Sequence, residues 1–324
     1  MPAPQSVSVP VVMGEFDLID RIRARSRRGS GVVIGIGDDA AVLAPTPGHQ
    51  LVVTTDSIVL DRHFTAEWPA ADIGHVAAHA NLSDLAAMGA SPRWALLALT
   101  LPEIDEVWVD GFLDGFLAAA ESAGMALVGG NLARGPLNVG VELIGEVPSG
   151  QAVTRRGARL GDRIAVTGTV GDAAGALLLG EKAGADLRRR LHRPQARLQA
   201  GASLRTQARA MIDLSDGLLA DLGHLLEDGQ GAELELDALP ASQALIKAVP
   251  DALERWRLQT GGGSDYELLV VLPPETDLAA LSEAGGVPLT DIGRITQSGH
   301  IECRSTQHEV PEELGRGWDH FRDD

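Results

Sequence analysis

Apolar positions along this chain recur with two periods, one near 3.6 residues and one near 2, and the two exchange repeatedly. Phe16, Ile19 and Ile22 share one side of 14–25, which reads as a short amphipathic helix. Strands are predicted at 32–36 and 40–43 around a Gly37-Asp38-Asp39 turn, and at 51–55 with Asp56 at the end. A helix at 70–88 stops at Gly89, a suitable C-terminal residue. There follow a strand at 94–101, a helix at 105–123, a strand at 125–128 running into Gly129-Gly130-Asn131, and a strand at 138–147.

Around 148–150 the chain turns and the pattern starts again. Strands are predicted at 163–169, 211–214, 233–236 and 266–272, with helices at 173–181 and 218–227. A polar helical stretch at 188–204 is interrupted by Pro194. Alternation of this kind predicts an α/β or α+β fold. The expected division is a flexible extension at 1–13, an N-terminal domain at 14–148 and a C-terminal domain at 149–324.

At 324 residues the chain is long enough for two domains. Aromatic residues are only 3%, so the core must be built mainly from Ala, Leu and Val. No apolar run reaches the roughly 18 residues of a membrane span. Residues 1–12 lack the basic start and apolar stretch of a signal peptide. The single cysteine, Cys303, excludes an intrachain disulfide and a multi-cysteine metal site, and a cytoplasmic location is expected. A net charge of -18 argues against nucleic acid or an anionic membrane as partner. It also means that a phosphate-bearing substrate would need cations between itself and the protein.

Acidic residues recur beside Gly, Ser or Thr at Gly37-Asp38-Asp39, Thr54-Thr55-Asp56-Ser57, Asn81-Leu82-Ser83-Asp84, Gly171-Asp172, Asp213-Leu214-Ser215-Asp216-Gly217 and Ser264-Asp265. Carboxylates in such settings suit hard divalent cations that grip phosphates. Each motif also has a plainer reading: a hairpin turn at Asp38-Asp39, a turn former at Asp56, an exposed polar stripe at Asn81 and Asp84, an N-cap at Asp216. Asn81 and Asp84 lie three apart on one helix face among small apolar neighbours, where an unpaired carboxylate is costly. Asp216-Gly217 opens a helix, whose N-terminus favours anions. Gly129-Gly130-Asn131 reads either as a phosphate-approach loop or as a common turn. Arg155 is either a phosphate clamp or a surface arginine, and His63 either lines a pocket or packs beside Phe64. The chain has no Gly-x-x-x-x-Gly-Lys-Ser/Thr, His-Arg-Asp or Asp-Phe-Gly, which excludes a P-loop NTPase and a protein kinase.

Taken in order, these motifs resemble the thiamine-monophosphate kinase family. The likeness runs from Gly14-Glu15-Phe16 through Ile36-Gly37-Asp38-Asp39-Ala40, Asn81-Leu82-Ser83-Asp84-Leu85-Ala86-Ala87-Met88-Gly89 and Asp213-Leu214-Ser215-Asp216-Gly217-Leu218 to Gly317-Trp318-Asp319-His320-Phe321. It implies ATP-dependent phosphorylation of thiamine monophosphate to thiamine diphosphate. It also implies a two-domain aminoimidazole ribonucleotide synthetase-like fold, with a mixed-sheet N-terminal domain and an α/β C-terminal one, and a homodimer joined through the N-terminal domains. By the same resemblance Asp39, Thr55, Asp56, Ser57, Asp84, Asp213 and Asp216 would bind several Mg2+ ions. Gly130, Asn131, Arg155 and Ser215 would contact ATP, and His63, Ser264 and Trp318 would meet the thiamine phosphate.

Three positions depart from the family pattern. Ser264 stands where the family has Glu, Asn131 where many members have Asp, and Arg190-Leu191-His192-Arg193-Pro194 replaces Arg-His-Leu-Arg-Pro. The alternatives are a related ATP-dependent enzyme with another acceptor, a nucleotide or thiamine-phosphate binding protein with little activity, and a metal-dependent phosphatase.

Overall fold

The residues around Asp56 extend further as a strand than their polarity suggests, because a long neighbouring strand pairs with all of them. The computed structural model describes residues 14–311, 313–315, 317, 318 and 321; the extension expected at 1–13 lies outside them, as do Asp319 and His320. The N-terminal half runs α1 (Glu15–Arg25), β1 (Val32–Ile34), β2 (Val42–Leu43), β3 (His49–Val59), α2 (Ala70–Ala87), β4 (Ser91–Leu101), α3 (Glu106–Ser122), β5 (Ala126–Arg134) and β6 (Asn138–Pro148). Strands β3-β6-β4-β5 form one sheet, antiparallel except for the parallel β4–β5 pair, so it is the mixed sheet expected.

Two expectations change here. Asp56 does not end a strand; it lies inside β3, opposite Val141. Gly129-Gly130-Asn131 is not a loop but part of β5. Both motifs interrupt the apolar pattern, and partner strands continue the hydrogen-bonding ladder through them regardless of side chain.

Helices α2 and α3 cover one face of this sheet, and Leu82, Leu85, Leu99, Phe112, Leu113, Val139 and Val141 fill the space beneath them. The helices meet closely because two glycines let backbone touch backbone. A Cβ on Gly74 would lie 2.1 Å from the Phe112 carbonyl oxygen, and one on Gly115 1.8 Å from that of Ala71. The opposite face of the sheet leaves Leu51 and Val53 exposed.

The C-terminal half runs β7 (Arg163–Thr167), α4 (Asp172–Leu179), α5 (Ala185–His192), α6 (Leu198–Leu204), β8 (Ala210–Asp213), α7 (Leu218–Leu225), β9 (Gly231–Glu235), α8 (Gln243–Ala248), α9 (Ala252–Gly261), β10 (Leu268–Leu272), α10 (Leu278–Gly285), β11 (Leu289–Thr296) and β12 (Ile301–Arg304). Its sheet is ordered β12-β9-β11-β7-β10-β8 and is antiparallel except between β12 and β9. Among the described residues no helix is long and apolar enough to cross a membrane.

Helix α2 also joins the halves. Asp72, His75 and His79 recur on one of its faces and hold the chain between α5 and α6. Asp72 accepts from His192 Nδ1 at 3.1 Å and from Arg193 Nε at 2.5 Å. His75 Nε2 lies 2.8 Å from the Pro194 carbonyl oxygen, and the Ala196 N–H donates to His79 Nδ1 at 3.1 Å. Trp68 stacks on His192 with ring centroids 4.0 Å apart. Burial, then the charges around it, lower the His79 pKa to about 3, which keeps its imidazole neutral and able to accept.

The α2–α3 contact is directly testable. Gly115→Ala should cost about 1–3 kcal/mol or more, since the obstacle is backbone and cannot rotate away. Urea unfolding at an unchanged midpoint would contradict so close an approach.

Candidate active site

Alternation along β3 sends Thr54 and Asp56 toward α2 and sends Thr55 and Ser57 to the opposite face. Thr54 Oγ1 donates to Asp84 Oδ2 at 2.5 Å. Burial raises the Asp84 pKa, while that hydrogen bond and the Arg155 charge oppose the rise. Asp213 ends β8 almost wholly buried and brings a carboxylate from the other domain. Its pKa is pushed up to about 7, first by burial and then by the charge of Asp84. The nearby Ser83 hydroxyl acts the other way without completing a well-formed hydrogen bond. The Tyr266 phenol is held well above its usual range, by burial and then by Asp56, Asp213 and Asp84. Asp56, Asp84 and Asp213 therefore act on one locality, with Arg155 within electrostatic reach.

The 214–217 loop continues from Asp213. Its carbonyl groups support three segments: Tyr266 N–H donates to Leu214 O, Ser264 N–H to Ser215 O and Trp318 N–H to Asp216 O, each at 2.8 Å. Ser264 and Tyr266 take left-handed backbone angles, φ +64° and +52°, a conformation that non-glycine residues seldom adopt. The amides face the other way. The N–H groups of Ser215, Asp216 and Gly217 donate to one oxygen, Asp221 Oδ2, at 3.2, 3.2 and 3.1 Å. The three amides that lead into α7 are thus taken up by a carboxylate of the protein itself.

Asp39, Gly130 and Asn131 line a cleft of about 1030 Å³ together with Arg23 and Glu142. Ser57 pairs with Gly140, Gly140 with Ala98 and Ala98 with Asn131, one row across the sheet. Gly130 has φ +152°, and a Cβ there would lie 1.9 Å from the Leu97 carbonyl oxygen, so strand packing alone demands glycine. His63 Nδ1 accepts from the Val59 N–H at 3.1 Å and is held at the end of β3.

In two of the acidic motifs the carboxylate is held by the protein's own donors. Asp172 accepts from Thr169 Oγ1 and Ser242 Oγ at 2.9 and 2.6 Å. Asp265 accepts the Gly171 N–H on both oxygens, at 3.0 and 2.9 Å. Behind them Glu267, fully buried, accepts from Thr167, Arg190 and Arg197. Tyr266, Asp221 and Thr54 were not picked out as site residues from the sequence. The two-residue spacing of Thr54 and Asp56 was a usable signal for Thr54, because it puts both on one strand face.

An oxygen-rich set of donors under mutual repulsion suits a hard divalent cation. One turn before Asp84 on the same helix, the buried Asn81 Oδ1 has no hydrogen-bond partner. Among the described residues no three His, Cys, Asp or Glu side chains form a metal-binding group by themselves. A cation there would need further oxygens from hydroxyl, amide, water or phosphate groups.

Residues 37–147 match the family model described as AIR synthase related protein, N-terminal domain, and 159–305 match its C-terminal counterpart. Thiamine-monophosphate kinase of Escherichia coli strain K12 is 42% identical over 323 residues, covering 95% of this chain and 98% of the relative. The chain belongs to the thiamine-monophosphate kinase family. A crystal structure of the family member from Stenotrophomonas maltophilia K279a has a TM-score of 0.82 at 45% identity, covering 90% of this chain and 96% of that one. The structure of AaThiL complexed with AMPPCP and TMP has a TM-score of 0.73 at 32% identity, covering 95% and 97%. The two-domain aminoimidazole ribonucleotide synthetase-like fold is therefore that of the family.

The electrostatics of Asp213 predict how stability depends on pH. Its folded-state pKa lies above its unfolded value, so its stabilising contribution is complete below about pH 4 and is lost as pH rises through about 7. In metal-free protein, Asp213→Asn should remove that loss and melt several degrees above wild type near pH 8. Melting curves with the same pH dependence for both proteins would contradict the assignment.

Proposed function

We propose that this chain transfers the γ-phosphoryl group of ATP to thiamine monophosphate, giving thiamine diphosphate and ADP, in a site that includes Asp56, Asp84, Asp213 and Asp216. The observation that carries the reading is near end-to-end similarity to thiamine-monophosphate kinases, together with acidic residues from both domains acting on one locality. Similarity to AaThiL complexed with AMPPCP and TMP supports the substrate pair.

In this mechanism an oxygen of the acceptor phosphate forms the new bond to the γ-phosphorus while the bond to the β,γ-bridging oxygen breaks. The acceptor is already ionised, so no protein group need remove a proton from it. The difficulty is bringing two anions into line beside an acidic protein. Asp39, Thr55, Asp56, Ser57, Asp84, Asp213 and Asp216 are the proposed Mg2+ ligands. Bound Mg2+ would neutralise the phosphates and stabilise charge developing in the transition state. Arg155 and Ser215, with Gly130 and Asn131, are assigned to ATP. His63, Ser264 and Trp318 are assigned to the thiamine phosphate.

The domain boundary at 148–150, a cytoplasmic location and a homodimer belong to the same proposal. The apolar, exposed Leu51 and Val53 support a second copy of the chain against the open sheet face.

Incubation with ATP and Mg2+ should yield thiamine diphosphate from thiamine monophosphate and not from thiamine. ADP without that product, or phosphate released without an acceptor, would refute the reaction. Asp56→Asn and Asp216→Asn should each lower kcat by about 100-fold or more while circular dichroism stays unchanged; full activity in both would overturn those assignments. Val53→Asp should halve the mass measured by light scattering. A wild type that is already monomeric would dispose of the dimer.

A further inference from the structure

The amides of Ser215, Asp216 and Gly217 point inward to Asp221 Oδ2, while the carbonyls of Leu214, Ser215 and Asp216 point outward to Tyr266, Ser264 and Trp318. Gly217 makes this fold of the loop possible. Its φ of +121° excludes most other residues, and a Cβ would come within 3.0 Å of the Gly261 backbone. Asp221 is 2% exposed, and its own N–H donates back to the Gly217 carbonyl oxygen at 2.9 Å. The loop is therefore pinned from inside by one side chain, and the 264–266 turn and Trp318 are hung on its outside.

We propose that Asp221 is a positioning residue for the reaction: it fixes the 215–217 loop, and through that loop the aim of Asp216 and the placement of Ser264 and Trp318. The proposal rests on the kinase reading above for its functional consequence, but its structural part stands without it. Three adjacent N–H groups, that of Gly217 buried and those of Ser215 and Asp216 part-buried, lose their partner together if the carboxylate is removed, and donors left unsatisfied away from water are costly. The loop then rearranges to find water or other acceptors, and the segments hydrogen-bonded to its carbonyls move with it. Groups that orient metal- and substrate-binding residues commonly matter at about the 10–100-fold level.

Asp221→Ala removes the acceptor, whereas Asp221→Asn keeps a carbonyl oxygen of the same reach and removes only the charge. Hydrogen exchange in protein without metal or nucleotide should show the 215–217 amides protected in wild type and in the Asn variant and exposed in the Ala variant. Calorimetric titration with Mg2+ and AMPPCP should show near wild-type affinity for Asn and affinity about 10–100-fold weaker for Ala, with the KM for thiamine monophosphate raised to a similar degree. Wild-type exchange and affinity in Asp221→Ala would overturn the proposal. So would equal weakening in both variants, which would make the charge, and hence direct contact with a ligand, the important property. If Asp221→Ala does not fold, Asp221→Asn still decides: loss of amide protection or of affinity in that variant refutes positioning by the acceptor oxygen. Wild type that binds Mg2+ and AMPPCP yet forms no thiamine diphosphate defeats the kinase reading instead, and leaves the exchange result to judge Asp221.

Discussion

Like charges brought together at the junction of two domains are the constraint on which the rest depends. Asp84 comes from a helix of the first domain and Asp213 from a strand of the second, and the charge of Asp84 adds to burial in raising the cost of ionising Asp213. Burial removes the water that would screen them. The fold tolerates this arrangement because other interactions hold the backbone in place. In a phosphoryl-transfer enzyme the same repulsion makes the site receptive to cations and, through them, to phosphates.

Helix α2 links that chemistry to the domain arrangement. Its residues Asp72, His75 and His79 grip the chain from the end of α5 toward α6, and the turns that follow carry Asn81, Ser83 and Asp84. One rigid element therefore sets both how the second domain sits and where the carboxylates lie. The gripped segment begins at His192 and Arg193, within the motif that departs from the family pattern. Here His192 stacks on Trp68 and bonds to Asp72, so the altered order still supplies a structural contact. Arg197, just beyond, pairs with Glu267 and ties the segment to the strand that follows Tyr266.

Much of this was legible in the sequence, and what was not has identifiable causes. The helices predicted at 14–25 and 70–88 appear at Glu15–Arg25 and Ala70–Ala87, although α1 buries Leu18 and Ile22 and leaves Phe16 exposed, and α2 is buried on nearly every side. Asp56 and Gly129-Gly130-Asn131 were misplaced relative to their strands because sheet pairing, unlike apolar alternation, leaves no local signature at polar residues or glycines. Helices α8, α9 and α10 and strands β11 and β12 were not anticipated; the strands that pair with β11 and β12, β7 and β9, are distant in the chain. An acid beside glycine, serine or threonine was an ambiguous sign: Asp172 and Asp265 satisfy hydroxyl and backbone donors, whereas the charge of Asp84 reaches Asp213 and raises its pKa. Only tertiary structure separates the two cases.

The central claim is that Asp213 at the domain junction, its pKa pushed up to about 7 by burial and the charge of Asp84, holds a proton that a bound divalent cation would displace. Calorimetric titration of Mg2+ with AMPPCP near pH 7, repeated in buffers of different ionisation enthalpy, measures that displacement directly. The account predicts net proton release from the protein, diminished in Asp213→Asn. Binding with no dependence on the buffer, or with the same release in both proteins, would contradict it.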